Sequence, residues 1–126
     1  MNFLLLSTGM VDLIHDAVLN PGELRGHAGN KSLDGALARV GNRLAYGMIE
    51  DVFDLAAAYA AAISQGHCFN DGNKRTAHQT MDVCLDINGV EINWTATDIG
   101  PLIITLAQGK IDEARFAAEL RKRAGL

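Results

Sequence analysis

The feature that most constrains the fold is a run of small apolar residues near the middle of the chain. Residues 55–63 contain six alanines, with Leu55, Tyr59 and Ile63 spaced four residues apart among them. Alanine favours helix, and this spacing places the three larger side chains on one helical face. Neighbouring helices can approach closely because the helix has little side-chain bulk. We therefore expect it to lie in the interior of the protein.

Capping residues and glycines divide the rest of the chain into further helical segments. The predicted helix starts are Ser7 or Thr8, Ser32, Asp51, about Asn73, Thr95 or Asp98, and Asp112. The predicted ends of the first five helices lie near Asn20, Gly47 or Met48, Gly66, Asn88 and Gln108. With 126 residues and only two prolines, the sequence predicts an all-α fold, a single compact domain over residues 1–126 with about six helices.

Two segments fall outside the helical pattern. Residues 21–31 carry three glycines and no apolar periodicity, which predicts a mobile loop. Residues 90–94 alternate apolar and polar side chains, which leaves room for one short extended segment. Nothing in the sequence indicates a partner strand for it.

Composition and charge exclude several classes of function. The net charge is −4, so the surface as a whole offers no electrostatic footprint for direct binding to nucleic acid. No apolar run approaches the length of a membrane span, and the apolar start at residues 3–6 is too short for the core of a signal peptide. The two cysteines, Cys68 and Cys84, are expected to be free thiols. We expect a cytoplasmic protein.

The residues that carry chemistry lie together in residues 67–76, which read His-Cys-Phe-Asn-Asp-Gly-Asn-Lys-Arg-Thr. Unpaired backbone N–H groups at a helix start, together with two cations, favour the binding of an anion such as phosphate. His67 can take a proton from an attacking hydroxyl near neutral pH. Asp71 can hold Mg²⁺, which prefers carboxylate and phosphate oxygens. This combination predicts phosphoryl or nucleotidyl transfer.

Other residues of the stretch support this interpretation. Gly72 allows the backbone to approach a phosphate closely, and Asn73 can bond a phosphate or stabilise the turn. Lys74 and Arg75 can neutralise charge that develops on the transferring oxygens. Gln79 lies one turn beyond Arg75, where its side chain can reach a bound phosphate or can be a surface amide.

The same residues also permit interpretations without this chemistry. Turn-forming residues and surface cations are common, and a single histidine is often structural. Phe69 is expected to point inward and to hold the loop in place. A zinc site would need His67, Cys68, Asp71 and His78, but adjacent ligands tend to diverge and no Cys-x-x-Cys pair is present. A role for Cys68 as a nucleophile is difficult for a similar reason, because the side chain of the neighbouring His67 cannot easily turn back onto the thiol.

The stretch resembles the signature loop of the Fic/Doc superfamily, and it is most similar to that of the death-on-curing (Doc) toxin branch. The match is carried by His67, Phe69, Asp71, Asn73, Lys74 and Arg75. His15 and Asp16 in the first helix, the glycine-rich loop and the chain length also fit, so the resemblance extends over nearly the whole chain. It implies the helical bundle of that family.

The resemblance further implies a toxin of a type II toxin–antitoxin system. Fic enzymes that transfer AMP carry a glycine where this chain has Lys74. In Doc-like proteins this lysine accompanies transfer of the γ-phosphate of ATP to a threonine of elongation factor Tu. The implied activity is a protein-threonine kinase that uses ATP and Mg²⁺ and blocks translation, and the implied partner is a Phd-like antitoxin. Gly72 matches the AMP-transferring branch, so AMP transfer to a hydroxyl side chain is an alternative, and a catalytically silent interaction module is another.

Overall fold

A computed structural model describes residues 2–126 and contains six helices in this range. They are α1 (Thr8–Val18), α2 (Leu33–Ala45), α3 (Val52–Gly66), α4 (Asn73–Ile87), α5 (Ala96–Ala107) and α6 (Glu113–Arg123). The described residues form no strand beyond one isolated bridge between His27 and Phe69. Within residues 2–126, no helix has both the length and the apolar character needed to cross a membrane. The predicted all-α fold of six helices is confirmed.

Side chains cap the starts of five helices. Each capping side chain accepts a hydrogen bond from the backbone N–H three residues later, and the five caps are Ser7, Ser32, Asp51, Thr95 and Asp112. A cap of this kind contributes about 1 kcal/mol. The sequence therefore predicts these helix starts well. Helix α4 differs, because it begins after Gly72 and has no side-chain cap.

The alanine-rich helix α3 is the centre of the bundle. Residues 55–64 are all buried, and α2, α4, α5 and α6 all pack against this helix. The hydroxyl of Tyr59 donates to the carbonyl of Leu6 at 3.2 Å and accepts from the N–H of Leu6 at 2.9 Å, which ties the N-terminal segment to α3. The interior position predicted for this helix is confirmed.

An arginine of the last helix holds the start of α3. Arg121 donates from Nε and Nη2 to the two carboxylate oxygens of Asp51 at 2.7 and 2.9 Å. Its Nη2 also donates to Asp54 at 2.7 Å. Asp51 is the N-cap of α3, so one carboxylate joins the helix start to α6. Residues 51 and 121 are 70 apart in sequence, and no pattern in the chain pairs them.

The predicted end of α2 differs from the structure, and the predicted end of α3 is right but depends on a different residue. Helix α2 ends at Ala45, so Met48 lies outside it and is 57% exposed. Gly66 is the last residue of α3, and the left-handed residue that stops the helix is His67. Residues 90–94 are irregular, with no strand partner in the described part of the chain.

Candidate active site

The loop between α3 and α4, residues 67–72, begins with an unusual backbone conformation. His67 has a φ of +50°, and it is the one non-glycine residue with positive φ among residues 2–126. Histidine, asparagine and aspartate adopt this conformation more readily than most side chains. The turn leaves His67 exposed, whereas the next two residues, Cys68 and Phe69, are buried. The imidazole is thereby held at the surface while the loop packs into the core.

Several contacts hold the buried part of this loop. The ring of Phe69 stacks on His15 of α1, with ring centroids 3.8 Å apart and planes 9° from parallel. His15 is 1% exposed, and its Nε2 lies 2.7 Å from the carbonyl oxygen of Asp71. The side-chain amide of Asn73 accepts from the N–H of Phe69 and donates to its carbonyl, both at 3.0 Å. Both polar atoms of the Asn73 side chain are therefore used within the loop.

A cavity of about 310 Å³ lies over the loop and the first turn of α4. Its lining consists of Ser64, His67, Asn70, Asp71, Gly72, Asn73, Lys74 and Arg75. Six of the eight residues that the sequence suggests for the site thus lie around one cavity. The other two do not line it, because Phe69 is buried beneath the loop and Gln79 is exposed farther along α4.

The first turn of α4 supplies backbone donors to this cavity. Gly72 precedes the helix with a φ of +78° and brings no capping side chain. The first N–H groups of an α-helix have no acceptor within the helix, and the helix dipole is positive at this end. Lys74 adds an exposed ammonium group. The cavity therefore favours a negatively charged ligand.

Ser64 is a lining residue that the sequence analysis missed. Its side chain is 1% exposed, and its Oγ has no hydrogen-bond partner among the described residues. A buried polar group without a partner is destabilising by about 1–3 kcal/mol. Less than 1 Å² of this Oγ is accessible, so a ligand in the cavity would reach it only if neighbouring atoms shifted. The only sequence signal is that Ser64 stands three residues before His67, close to one helical turn.

Asp71 retains one carboxylate oxygen for a ligand. Its Oδ2 accepts from the N–H of Leu24 at 2.7 Å, and Oδ1 has no hydrogen bond to the described residues. No group of three or more His, Cys, Asp or Glu side chains that could hold a metal occurs in residues 2–126. A metal at Asp71 would therefore take its other ligands from phosphate oxygens and water, which is how Mg²⁺ is commonly bound. The free oxygen of Asp71 fits that mode.

Arg75 is bound to the last residue of α1 and to the turn that follows it. Its Nη1 donates to the carbonyl of Val18 and to Oε1 of Glu23, each at 2.7 Å, and its Nη2 donates to Oε2 of Glu23. The hydrogen bonds between Arg75 and Glu23 lower the pKa of the Glu23 carboxyl and raise the pKa of the Arg75 guanidinium. Glu23 has no role that the sequence indicates, because nothing in the pattern relates it to a residue more than fifty positions away.

The glycine-rich loop is also hydrogen-bonded to the site. The N–H of Ala28 donates to the carbonyl of Cys68 at 2.8 Å, and the N–H of Asn70 donates to the carbonyl of Gly26 at 3.2 Å. The side chain of Asn70 donates to the carbonyl of Arg25 at 3.1 Å. The prediction of a mobile loop overlooked these contacts, since bonds to backbone atoms leave no periodic signal in the sequence.

Both cysteines are free and buried thiols, as predicted. Burial raises the pKa of the Cys68 thiol, and it raises that of Cys84 to about 12. The Sγ of Cys68 donates to the carbonyl of Ser32 at 3.5 Å. A protonated and buried thiol is a poor nucleophile, so the structure disfavours a catalytic role for Cys68.

Comparison with known proteins supports a relationship over most of the chain. Residues 5–85 match the sequence profile of the Fic/DOC family. That segment extends from just before α1 to the last turn of α4 and includes every residue that lines the cavity. The chain is also 34% identical over 113 residues to the protein named "Protein kinase doc" of Escherichia phage P1, and the alignment covers 89% of each chain.

Proposed function

Because this chain belongs to the Fic/Doc family, we propose that it transfers the γ-phosphate of ATP to a threonine of a protein substrate. The observation that carries the proposal is that His67, Asp71 and Arg75 line one cavity at the start of α4. A base, a carboxylate and a cation around a cluster of backbone N–H groups are the components that phosphoryl transfer needs. The name of the phage relative, a protein kinase, supports the same reaction.

His67 is the general base in this proposal. Its exposed position allows a hydroxyl on another protein to reach it. His67 accepts the hydroxyl proton while the threonine oxygen attacks the γ-phosphorus. The new oxygen–phosphorus bond forms as the bond from that phosphorus to the β,γ-bridging oxygen breaks, and ADP leaves. A positioned base of this kind contributes about 10²- to 10⁴-fold to the rate.

The start of α4 binds the phosphates. Its first backbone N–H groups, including that of Asn73, donate to phosphate oxygens, and Lys74 and Arg75 balance their charge. Asp71 holds Mg²⁺, which when bound neutralises charge on the phosphate oxygens. Gln79, which does not line the cavity, would reach the phosphates from one turn farther along α4.

The proposed cellular role is that of a toxin in a type II toxin–antitoxin system. The proposed substrate is elongation factor Tu, so that phosphorylation in the cytoplasm blocks translation. A Phd-like antitoxin is the proposed restraining partner. The similarity of the chain to Doc-like proteins supports these assignments.

AMP transfer is a second candidate, and Gly72 is the observation that favours it. A Cβ at this position would lie 3.5 Å from the Leu19 side chain and 3.7 Å from Nη2 of Arg75. Glycine leaves this space open for a phosphate close to the backbone. With the same base and the same anion site, attack at the α-phosphorus would release pyrophosphate instead of ADP.

Labelled ATP distinguishes the two reactions. The protein is incubated with purified elongation factor Tu, and separately with bacterial lysate, in the presence of Mg²⁺ and ATP labelled at the α- or the γ-phosphorus. We expect stable label on elongation factor Tu from the γ position only, and none with a His67→Asn variant. Label from the α position would favour AMP transfer. The absence of label from both positions, with wild-type protein that is folded, would favour the silent interaction module.

A further inference from the structure

Arg75 uses only part of its hydrogen-bonding capacity within the protein. A guanidinium carries five N–H groups, one on Nε and two on each Nη. Both N–H groups of Nη1 are used, one by Val18 and one by Glu23. Nη2 uses one, on the second oxygen of Glu23. The Nε–H and the remaining Nη2–H meet no acceptor among residues 2–126.

The two unused N–H groups lie side by side on one edge of the planar guanidinium. This edge suits two parallel hydrogen bonds to a carboxylate or a phosphate. Two other arginines use the same edge for carboxylates: Arg43 binds Glu113 through Nε and Nη2 at 2.7 and 2.9 Å, and Arg121 binds Asp51 in the same way. Arg75 leaves this edge free.

The free edge has space beside it. Arg75 lines the cavity, and a Cβ at Gly72 would come within 3.7 Å of Nη2. That distance is an ordinary van der Waals contact, so the space beside the donors is that of the cavity, and position 72 favours glycine because of its φ of +78°. A ligand with two oxygens on one atom, such as a phosphate group, could accept from both.

Hydrogen bonds with the backbone of Asn20 also hold Glu23 in place. Its Oε1 accepts from the N–H of Asn20 at 2.6 Å, and its own N–H donates to the carbonyl of Asn20 at 3.1 Å. The carboxylate therefore belongs to the turn that follows α1. Hydrogen bonds from Arg75 and from Asn20 hold the pKa of the Glu23 carboxyl below its usual range, so it stays charged at neutral pH. Glu23 cannot move away from Arg75 without losing its bond to this turn.

We propose that Glu23 is a positioning residue for phosphate binding: with the Val18 carbonyl, it holds one side of Arg75 so that the Nε–Nη2 edge faces a phosphate group in the cavity. The proposal rests on the proposed function for the identity of the ligand as the triphosphate of ATP. Its physical basis is pre-organisation, because an arginine that is already fixed loses less side-chain freedom when it binds.

The proposal predicts a change in phosphate affinity that is opposite in direction to the change expected from charge repulsion alone. A carboxylate near an anion site repels the anion, so its removal would tighten binding if repulsion dominated. If Glu23 positions Arg75, its removal weakens binding instead. The direction of the change therefore separates the two effects.

The test measures the binding of tripolyphosphate, and separately of Mg·ATP, by isothermal titration calorimetry. The variants are Glu23→Gln, Arg75→Ala and the double variant. Glu119→Gln is the matched control, because Glu119 also pairs with an arginine, Arg123 on α6, away from the cavity. We expect Glu23→Gln to weaken both ligands about tenfold, the loss of roughly one charge-assisted hydrogen bond, and Glu119→Gln to change neither.

Two further results identify the mechanism. In the Arg75→Ala background, Glu23→Gln should change binding by less than twofold, because the side chain that it positions is gone. Glu23→Asp keeps the charge and should restore part of the affinity.

In the transfer assay, the KM for ATP should rise in Glu23→Gln more than kcat falls. Melting curves establish that each variant is folded, and Glu23→Ala replaces Glu23→Gln if the latter does not fold.

The outcomes separate this proposal from the proposed function. Equal or tighter binding by Glu23→Gln, or no binding of tripolyphosphate by the wild-type protein, would overturn the positioning role even if phosphate transfer is observed. If Glu23→Gln weakens binding through Arg75 but the wild-type protein transfers no phosphate, the positioning role stands and the proposed reaction fails.

Discussion

Two arginine–carboxylate contacts, one near each end of α3, differ in the donors that they use. At the start of the helix, Arg121 binds Asp51 through Nε and Nη2 and also binds Asp54. Beyond its end, Arg75 binds Glu23 through Nη1 and Nη2 and leaves its Nε edge unused. Each arginine uses three of its five N–H groups, but Arg121 uses its Nε–Nη2 edge on a carboxylate of the protein, whereas Arg75 keeps that edge free beside a cavity. This difference separates a contact that stabilises the fold from one that is suited to a ligand.

The loss of His67 is expected to give the largest effect. His67→Asn should lower the transfer rate about 10³-fold, because the proposed general base is removed. Asparagine tolerates the left-handed backbone, so the melting temperature should stay the same. Phosphate transfer to elongation factor Tu and a thermal melt measure the two quantities.

His67→Ala is the control for the backbone. It should lose as much activity as His67→Asn but melt at a lower temperature, because alanine disfavours positive φ. If His67→Asn retained more than a tenth of the wild-type rate, His67 would not be the base.

The next largest effect should distinguish the two arginines directly. Arg75→Lys keeps the charge but removes the planar edge, so kcat/KM should fall about 100-fold, the equivalent of two charge-assisted hydrogen bonds. Arg121→Lys, the matched control, should leave kcat/KM within twofold of the wild type. Equal kinetic losses in both variants would contradict the comparison between the two contacts.

Removing Arg121 should lower stability and leave activity unchanged. Arg121→Met should reduce the free energy of unfolding by about 1 kcal/mol and the melting temperature by about 4 °C, because Asp51 and Asp54 lose their partner. Arg123→Met is the control, since Arg123 makes an exposed pair within α6, and its effect should be under about 0.5 kcal/mol. Denaturant titration measures both changes. If Arg123→Met destabilised the fold as much as Arg121→Met, the contact at the start of α3 would have no special role.

The smallest expected effect is the pH dependence of the stability that the contact between Arg121 and Asp51 contributes. The hydrogen bond from Arg121, followed by bonds from backbone N–H groups, holds the pKa of the Asp51 carboxyl below its usual value. A lowered pKa contributes stability that is fully present above the ordinary aspartate value near 4 and is lost as the pH falls through the folded-state value. The difference in melting temperature between wild type and Arg121→Met should therefore be full at pH 7 and shrink below about pH 4. A difference that stays constant down to pH 3 would contradict this linkage.

The local features of the fold were predictable because they depend on neighbours in sequence. A helix cap acts over three residues, so Ser32 and Asp112 mark their helix starts without any knowledge of the fold. The alanine-rich helix could be placed in the interior for a similar reason, since its composition suits close packing. The end of α3 was less predictable: Gly66 has the residue type expected at a helix stop, but the left-handed conformation falls on His67.

The residues of the candidate site likewise divide into those that the sequence indicates and those that only the fold brings to the site. Its central residues, from His67 to Arg75, stand in one short segment, so their combination was visible in the sequence. The supporting residues come from elsewhere, since His15 stacks beneath the loop and Glu23 holds Arg75. Ser64 became a candidate only through its burial and its missing partner.

The sequence by itself determined six helices, a central position for α3 and the group of side chains available for chemistry. Only the tertiary structure decided which donors remain free. That outcome depends on α1 and the turn after it lying beside the first turn of α4, where the Val18 carbonyl and Glu23 occupy three of the N–H groups of Arg75. Hydrogen bonds between segments so far apart in sequence follow from packing in three dimensions, which no local pattern encodes.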